Sequence, residues 1–429
     1  MSASAFPPPP APLRPTVSAA KAAAGPHPAA PGAAVWLPAI TAGLFAAIAL
    51  AYPVRRAFYF VYQVLPNGKP RFGFNEGWNV YAAQAVFHGQ KIYSHPPGWL
   101  DFNYPALSFH LVAWLHGLGA TYLLAGRFLS LGGLLGSAVL VALISHRLGA
   151  ARRYAVFAAL FCLALFATAA RGYVGQDDPQ ILAQMVFLAG LYVYVSGRPS
   201  WGRLAAVAAL FVVGGNIKHN LVDFPLAVFF DLILTSRRTA ARFVALGAAF
   251  LAASIGWEMW AGGPYFIADL LSARRYFLSH AFVQFMRYGF EPVEIAFVAA
   301  ALWSVIQLRS WGQDGGTAAQ SGGSRVIALW FWLALVTGLI FGGGAGVFYN
   351  AYFDLFLAIA VITALFPQWA LAQFGELGGA ARIRAEAVIP LVLLATLLPP
   401  AFHRIRFDRF FQLPARQMQW EMEARLIRR

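Results

Sequence analysis

Residues Arg152 to Arg198 read RRYAVFAALFCLALFATAARGYVGQDDPQILAQMVFLAGLYVYVSGR. Two apolar runs, 154–171 and 179–196, flank a polar turn, Gln176-Asp177-Asp178-Pro179-Gln180. Each run approaches the ~20 residues that a helix needs to cross a hydrocarbon core of ~30 Å. Arg152, Arg153 and Arg198 gather at the open ends of this unit and both aspartates at its turn. That pattern predicts a helical hairpin inserted in a membrane, with its basic ends on the cytoplasmic side.

The composition of the whole chain agrees with the hairpin. Of 429 residues, 59% are hydrophobic and only 11% are charged. A soluble domain carries roughly 25% charged residues, so a soluble enzyme is excluded. The expected class is an all-α polytopic membrane protein. The net charge is +15, from 32 Lys and Arg against 17 Asp and Glu. The basic residues sit mostly in short segments between apolar runs, where they orient spans and meet lipid headgroups. Nucleic acid is therefore not an expected partner, whereas membrane lipids are. The lone cysteine, Cys162, can form no internal disulfide, and no Cys/His metal cluster can be assembled.

Eleven spans are read outward from the hairpin: 36–52, 122–146, 154–171, 179–196, 204–215, 220–236, 241–260, 291–308, 326–342, 349–366 and 386–401. The Ala/Pro-rich segment 1–34 reads as a disordered cytoplasmic tail without signal-peptide character. Residues 35–401 form the transmembrane domain, and 402–429 an Arg-rich tail. Segments holding Arg147, Arg203, Arg237, Arg238, Arg242, Arg309, Arg325, Arg382 and Arg384 alternate with nearly uncharged ones. This places the N-terminus inside and a large loop, 53–121, outside. The odd span count would put the basic C-terminal tail outside, against the same rule.

Polar residues collect on the outer side: Glu76, Asp101, Asp177, Asp178, Lys218, His219 and Asn220. Arg127, Asp223, Glu258, Glu294 and Asp354 fall within two turns of outer span ends, with Asp231 nearer the cytoplasm. Ionisable groups at membrane depth are costly unless paired or facing water, so they point to an outward-facing crevice. Gly214-Gly215 and Gly342-Gly343-Gly344 are expected to line it as irregular backbone. In the outer loop, residues 77–88 form an amphipathic helix with Glu76 in its first turn and Gly89 ending it. Residues 106–116 follow as a second helix, too short to span and lying in the interface.

The order of several short motifs resembles the GT-C superfamily of membrane glycosyltransferases. The closer likeness is to its protein O-mannosyltransferase, aminoarabinose-transferase and Rgt-type branch. The motifs are Asn75-Glu76-Gly77, Gly89-Gln90-Lys91-Ile92-Tyr93 and Tyr104-Pro105-Ala106-Leu107, then Gly126-Arg127, Gln176-Asp177-Asp178-Pro179-Gln180, Lys218-His219-Asn220 and Tyr349-Asn350. The likeness covers roughly residues 36–370 and implies a GT-C-like bundle whose first outer loop carries interfacial helices. It further implies a polyprenyl-phosphate sugar as donor and inverting transfer to a lipid, glycan or protein acceptor. An outer-loop carboxylate would act as base, at the extracytoplasmic face of a bacterial inner membrane. Asn75 stands where that family's usual aspartate does, and asparagine cannot take a proton. The resemblance then leaves Glu76 or Asp178 as the catalytic carboxylate. Lys218, Arg127, Asp177, His219, Tyr349 and Asn350 are the candidates for binding the substrate and its phosphate. No nucleotide-binding loop is found, and none is needed for a lipid-borne donor.

Each residue also has a plainer reading. Glu76 can serve only as a helix-start charge, Asp177 and Asp178 as caps before Pro179, and Lys218 as a snorkelling side chain. The competing function is a transporter or flippase for a polar or lipid-linked substrate. Transporters often carry internal repeats and midplane polar sites; this sequence shows no clear repeat, and its polar residues lie outward.

Overall fold

The computed structural model describes residues 75–96, 102–272, 276–310, 318–344 and 347–373, with parts of 43–55 and 388–397. Both tails, Asp101, Arg274 and Arg275 lie outside the described residues, as do much of the expected spans 36–52 and 386–401.

Among the described residues the chain is helical, with one isolated β-bridge between Tyr276 and Gly344. Two loop helices come first, α1 (Glu76–Phe87) and α2 (Leu107–Gly117). Gly89 follows α1 with φ 71°, a left-handed turn that glycine adopts without strain. Six long helices then run back and forth: α3 (Tyr122–Arg147), α4 (Arg152–Thr168), α5 (Pro179–Val195), α6 (Trp201–Ile217), α7 (Asp223–Thr235) and α8 (Arg237–Ala261). Their starts are chemically explicit. Thr121, Asp178, Ser200 and Ser236 each accept a backbone N–H in the first turn of the helix they precede.

Short helices α9 (Phe266–Leu270) and α10 (Leu278–Gln284) occupy what the sequence suggested was loop 261–290. From α10 the chain continues without interruption through a π-helical turn (Phe285–Phe290) and a 3-10 turn (Glu291–Val293) into α11 (Glu294–Ser310). The expected start at residue 291 is thus corrected to 278. Pro292 has no N–H to donate back, and the π and 3-10 turns absorb that missing bond without ending the helix. Likewise α12 (Ala318–Gly342) begins eight residues before the expected 326. After a 3-10 turn, Tyr349–Tyr352, the last long helix α13 (Phe353–Gln373) carries Pro367 inside it rather than stopping there.

Five helical segments among the described residues are long and apolar enough to cross a membrane: Tyr122–Arg147, Arg237–Ala261, Leu278–Ser310, Gly323–Gly342 and Tyr349–Ala372. Helices α5 and α6 are apolar but shorter. The eleven expected spans therefore exceed what length and composition establish.

The main core is built by α3 packing on α4 and α5, α5 on α6, α7 on α12, and α13 on α4. Helix α8 lies at the margin: only Ala240, Phe243 and Glu258 are buried, while Leu251, Trp257 and Trp260 are exposed. A separate small core of Ala82, Ala83, Tyr93, Phe102, Phe109 and Phe266 fixes the loop helices. Tyr93 ties this core to the bundle: its backbone N–H donates to Gly262 O (2.8 Å) and its hydroxyl to Tyr104 O (2.6 Å). The starts of α3, α5, α7 and α13 and the ends of α4, α6, α8 and α12 share one end of the bundle, capped by α1 and α2. Arg147, Arg152, Arg203 and Arg237 mark the opposite end.

Candidate functional site

Glu76 opens α1, and its carboxylate is 2% exposed. Arg127, one and a half turns into α3 and 3% exposed, donates to it from Nε (2.8 Å to Oε1) and Nη2 (2.9 Å to Oε2). This is the bidentate geometry that guanidinium and carboxylate favour. The backbone N–H of Asp177 also donates to Glu76 Oε1 (2.9 Å). Asn79, one turn further along α1, donates from Nδ2 to Asp177 O (2.5 Å). Three chain segments spread over about a hundred residues are therefore locked together by Glu76. Gly126 makes the approach possible: a Cβ there would overlap the Asp177 carboxylate. At the preceding position, Asn75 is half-buried and makes no side-chain cap bond.

The two aspartates behave differently. Asp178 is the N-cap of α5, with Oδ1 accepting from Gln180 N (2.9 Å). Its Oδ2 is buried with no hydrogen-bond partner among the described residues, and so is Oδ2 of Asp177. Burial first, then the neighbouring Glu76 and Asp178, push the Asp177 carboxyl well above the ordinary carboxylate range, with Arg127 opposing. A narrow crevice at this point is lined by Asn79, Ser108, Gly126, Ser130, Asp177 and Asp178.

Beside Asp178 lies an aromatic wall. Tyr173, in the turn before α5, meets the Tyr349 ring edge-on at 5.2 Å. Burial, then the charge of Asp178 and the hydroxyls of Tyr349 and Tyr104, raise the Tyr173 phenol above its ordinary value. Lys218 caps the C-terminus of α6 and is 4% exposed. Its ammonium sits 3.4 Å over the centre of the Tyr104 ring. A cation held against the face of an aromatic ring is partly stabilised by the ring quadrupole. No carboxylate among the described residues pairs with it. The Tyr104–Ala106 segment is itself held in place: besides the Tyr93 bond, Ala106 N donates to Glu258 Oε1 (3.3 Å).

Glu76, Arg127, Asp177 and Asp178 thus form one cluster, and Tyr173 and Tyr104 connect it to Lys218. Tyr349 borders the same wall. Asn350 contributes only its backbone, whose O accepts from Gln180 Nε2 (3.4 Å), while its side chain caps Phe348 N (3.2 Å). His219 is half-buried next to Lys218. The residues that sequence reasoning missed are Asn79, Tyr104 and Tyr173. Each lies within five residues of a chosen one or inside a quoted motif, which is the signal that could have found them.

Other polar groups expected at the crevice have separate partners deeper in the bundle. Asp223 accepts from Trp330 Nε1 (2.9 Å), and Asp354 from Gln184 Nε2 (2.7 Å). Asp231 accepts from Tyr194 (2.5 Å) and pairs with Arg325 (2.5 Å), which the sequence assigned to a cytoplasmic loop. Gly214 and Gly215 lie within regular α6 rather than in irregular backbone, and Gly214 admits the Phe187 ring. Among the described residues, no group of three or more His, Cys, Asp or Glu is arranged to hold a metal ion.

No family model matches the sequence, and no curated protein matches it. Solved structures do share the fold. ArnT from Cupriavidus metallidurans in the apo state aligns with a TM-score of 0.54 over 84% of this chain and 76% of its own, at 14% identity. The same protein bound to undecaprenyl phosphate gives 0.52 over 88% and 73%, at 15% identity. The Archaeoglobus fulgidus oligosaccharyltransferase, in complex with Zn and sulfate, gives 0.45 over 85% and 52%, at 13% identity. The chain therefore has the GT-C-like membrane fold that the order of its motifs suggested.

Proposed function

We propose that the chain is a membrane glycosyltransferase that moves a sugar from a polyprenyl-phosphate donor to an extracytoplasmic acceptor with inversion. The observation that carries this reading is the pairing, across one aromatic wall, of an ammonium without an anion and a carboxylate oxygen without a donor among the described residues. Lys218 over Tyr104 supplies the first and Asp178 Oδ2 the second. The fold supports the same reading, because ArnT, which shares it, has been captured with undecaprenyl phosphate.

In this mechanism the acceptor hydroxyl attacks the anomeric carbon, and its proton passes to a carboxylate. The bond from that carbon to the phosphate oxygen breaks as the new glycosidic bond forms. The departing phosphate gains charge, and Lys218 stabilises it. Asp178 is the better base of the two candidates. Both oxygens of Glu76 already accept hydrogen bonds, from Arg127 and from Asp177 N–H. Glu76 and Arg127 are positioning residues, which hold α1 and the Asp177-Asp178 turn in register. Asp177, His219 and Tyr349 border the site, and the acceptor class is a lipid, glycan or protein hydroxyl or amine.

The test is transfer by the purified protein from a panel of radiolabelled polyprenyl-phosphate sugars into a membrane extract. Wild type should label an acceptor, and Asp178→Asn should lower the rate by ~10²–10⁴-fold, the usual range for loss of a general base. Full activity in Asp178→Asn would remove this residue from the chemistry. Translocation of a lipid-linked sugar without any bond transfer would replace the enzyme with a transporter.

A further inference from the structure

Two glycines at the end of α8 let the outer loop dock against that helix. Tyr93 is fully buried, and its backbone pairs with this turn in both directions. Its N–H donates to Gly262 O (2.8 Å), and its carbonyl accepts from Tyr265 N (3.1 Å). A Cβ at Gly263 would overlap the Tyr93 carbonyl, and Gly263 also holds φ 129°, a backbone state that only glycine adopts without strain. A Cβ at Gly262 would press on the Tyr93 ring at 2.6 Å. Lys91 adds a bond from Nζ to Trp260 O (3.1 Å). Helix α8 buries few of its own side chains, yet one of them is the carboxylate of Glu258.

The docked residues hold the segment Tyr104–Ala106 from two sides. The Tyr93 hydroxyl donates to Tyr104 O (2.6 Å), and Glu258 Oε1 accepts from Ala106 N (3.3 Å). Burial, then the charges of Glu258 and Asp269, push the Tyr93 phenol well above its ordinary value, so it stays a donor. Between the two clamped residues stands Pro105, whose ring fixes its own φ. The segment so held carries the Tyr104 ring, 3.4 Å from the Lys218 ammonium. Among the described residues no hydrogen bond or ion pair joins Lys218 to Tyr93 or Glu258. Any influence of these two on Lys218 passes through Tyr104.

We propose that Tyr93 and Glu258 are positioning residues for Lys218, acting through the Tyr104 ring, so that α8 and the outer loop together fix where the donor phosphate is received. The inference rests on the phosphate-binding role proposed for Lys218. A lysine side chain must be ordered before it can meet a phosphate, and ordering it beforehand raises affinity without a new contact. The face of Tyr104 does this ordering, and it presents no anion for the phosphate to displace. Shifting that ring loses the advantage while the ammonium itself remains.

The experiment is equilibrium binding of polyprenyl phosphate and of uncharged polyprenol to the full-length protein in detergent micelles. Tyr93→Phe removes the hydroxyl donor, and Glu258→Ala removes the acceptor for Ala106 N. Each should weaken the phosphate roughly threefold to tenfold, the loss expected when one long side chain must be ordered on binding, and leave the alcohol unchanged. Glu258→Gln keeps an acceptor oxygen and should restore the phosphate affinity. In a Lys218→Met background Tyr93→Phe and Glu258→Ala should add nothing. A second pair leaves the clamps intact: Tyr104→Leu should fall by the same factor, and Tyr104→Phe, which keeps the ring, should not. Undiminished phosphate binding in Tyr93→Phe and Glu258→Ala, an equal loss for the alcohol, an equal further loss without Lys218, or equal affinities in Tyr104→Leu and Tyr104→Phe would each overturn the inference. The two readings fail separately. Lys218→Met binding the phosphate like wild type removes the phosphate site itself, whereas a weakened Lys218→Met beside unaffected Tyr93 and Glu258 variants removes only the positioning role.

Discussion

Breaking the Glu76–Arg127 pair from either side should destabilise the protein far more than removing both partners. The two residues are 2% and 3% exposed and share two charge-assisted hydrogen bonds of 2.8 and 2.9 Å. Arg127→Met leaves a buried carboxylate holding the Asp177 N–H; Glu76→Gln leaves a buried guanidinium facing a neutral amide. Stranding one charge of a buried pair costs about 3–5 kcal/mol. Glu76→Gln belongs at the lower end, because the amide oxygen still accepts from Asp177 N. The double variant strands neither charge and should lose only about 2 kcal/mol, so the coupling between the two sites comes to roughly 4–6 kcal/mol. Cys162 provides the assay, as the sole cysteine and a fully buried one. Its labelling by a fluorogenic maleimide through a denaturant titration reports unfolding without an added probe. Additive losses in the double variant, or wild-type midpoints in both single ones, would refute the reasoning.

Three further outcomes follow from neighbouring geometry. Gly126→Ala puts a methyl group into the Asp177 carboxylate and should lower transfer at least tenfold by displacing the Asp177-Asp178 turn; Gly132→Ala, which meets nothing nearby, is the matched control in the same transfer assay. Because the Asp177 carboxyl is raised in the folded state, it is destabilising when ionised: stability should rise as pH falls through its folded value toward the ordinary carboxylate range, and Asp177→Asn should remove that part of the slope in denaturant titrations at several pH values. Reporter fusions after Ala150 and after Gly89 should read cytoplasmic and extracytoplasmic respectively; the reverse pair would put every site residue in the wrong compartment.

The sequence was most informative where chemistry and periodicity coincided. Helices α1 and α2 fall within a residue of their expected places, because Gly89 and Pro105 punctuate them. Asp178 was legible as a cap, since Asp-Pro at a span start is a local signal. What could not be read locally was pairing. Arg325 carries the mark of a positive-inside loop residue, yet α12 starts early and turns it onto Asp231 of α7. The unbroken helix from 278 to 310 was hidden for a related reason: Gly289 and Pro292 resemble stop signals, and only packing against Tyr352 and α12 shows that the chain continues. Glu76 and Arg127 were each legible as polar groups at the outer side, whereas their pairing depends on a contact between positions fifty residues apart.

The phosphate-binding role proposed for Lys218 is tested most directly by equilibrium binding of polyprenyl phosphate, with the uncharged polyprenol as control, to wild type and Lys218→Met in detergent micelles. If the buried ammonium over Tyr104 receives the donor phosphate, wild type should bind the phosphate much more tightly than the alcohol. Lys218→Met should weaken the phosphate at least tenfold, the loss expected for one charge-assisted contact, and leave the alcohol unchanged. Equal binding of the two lipids by wild type, or undiminished phosphate binding by Lys218→Met, would contradict it.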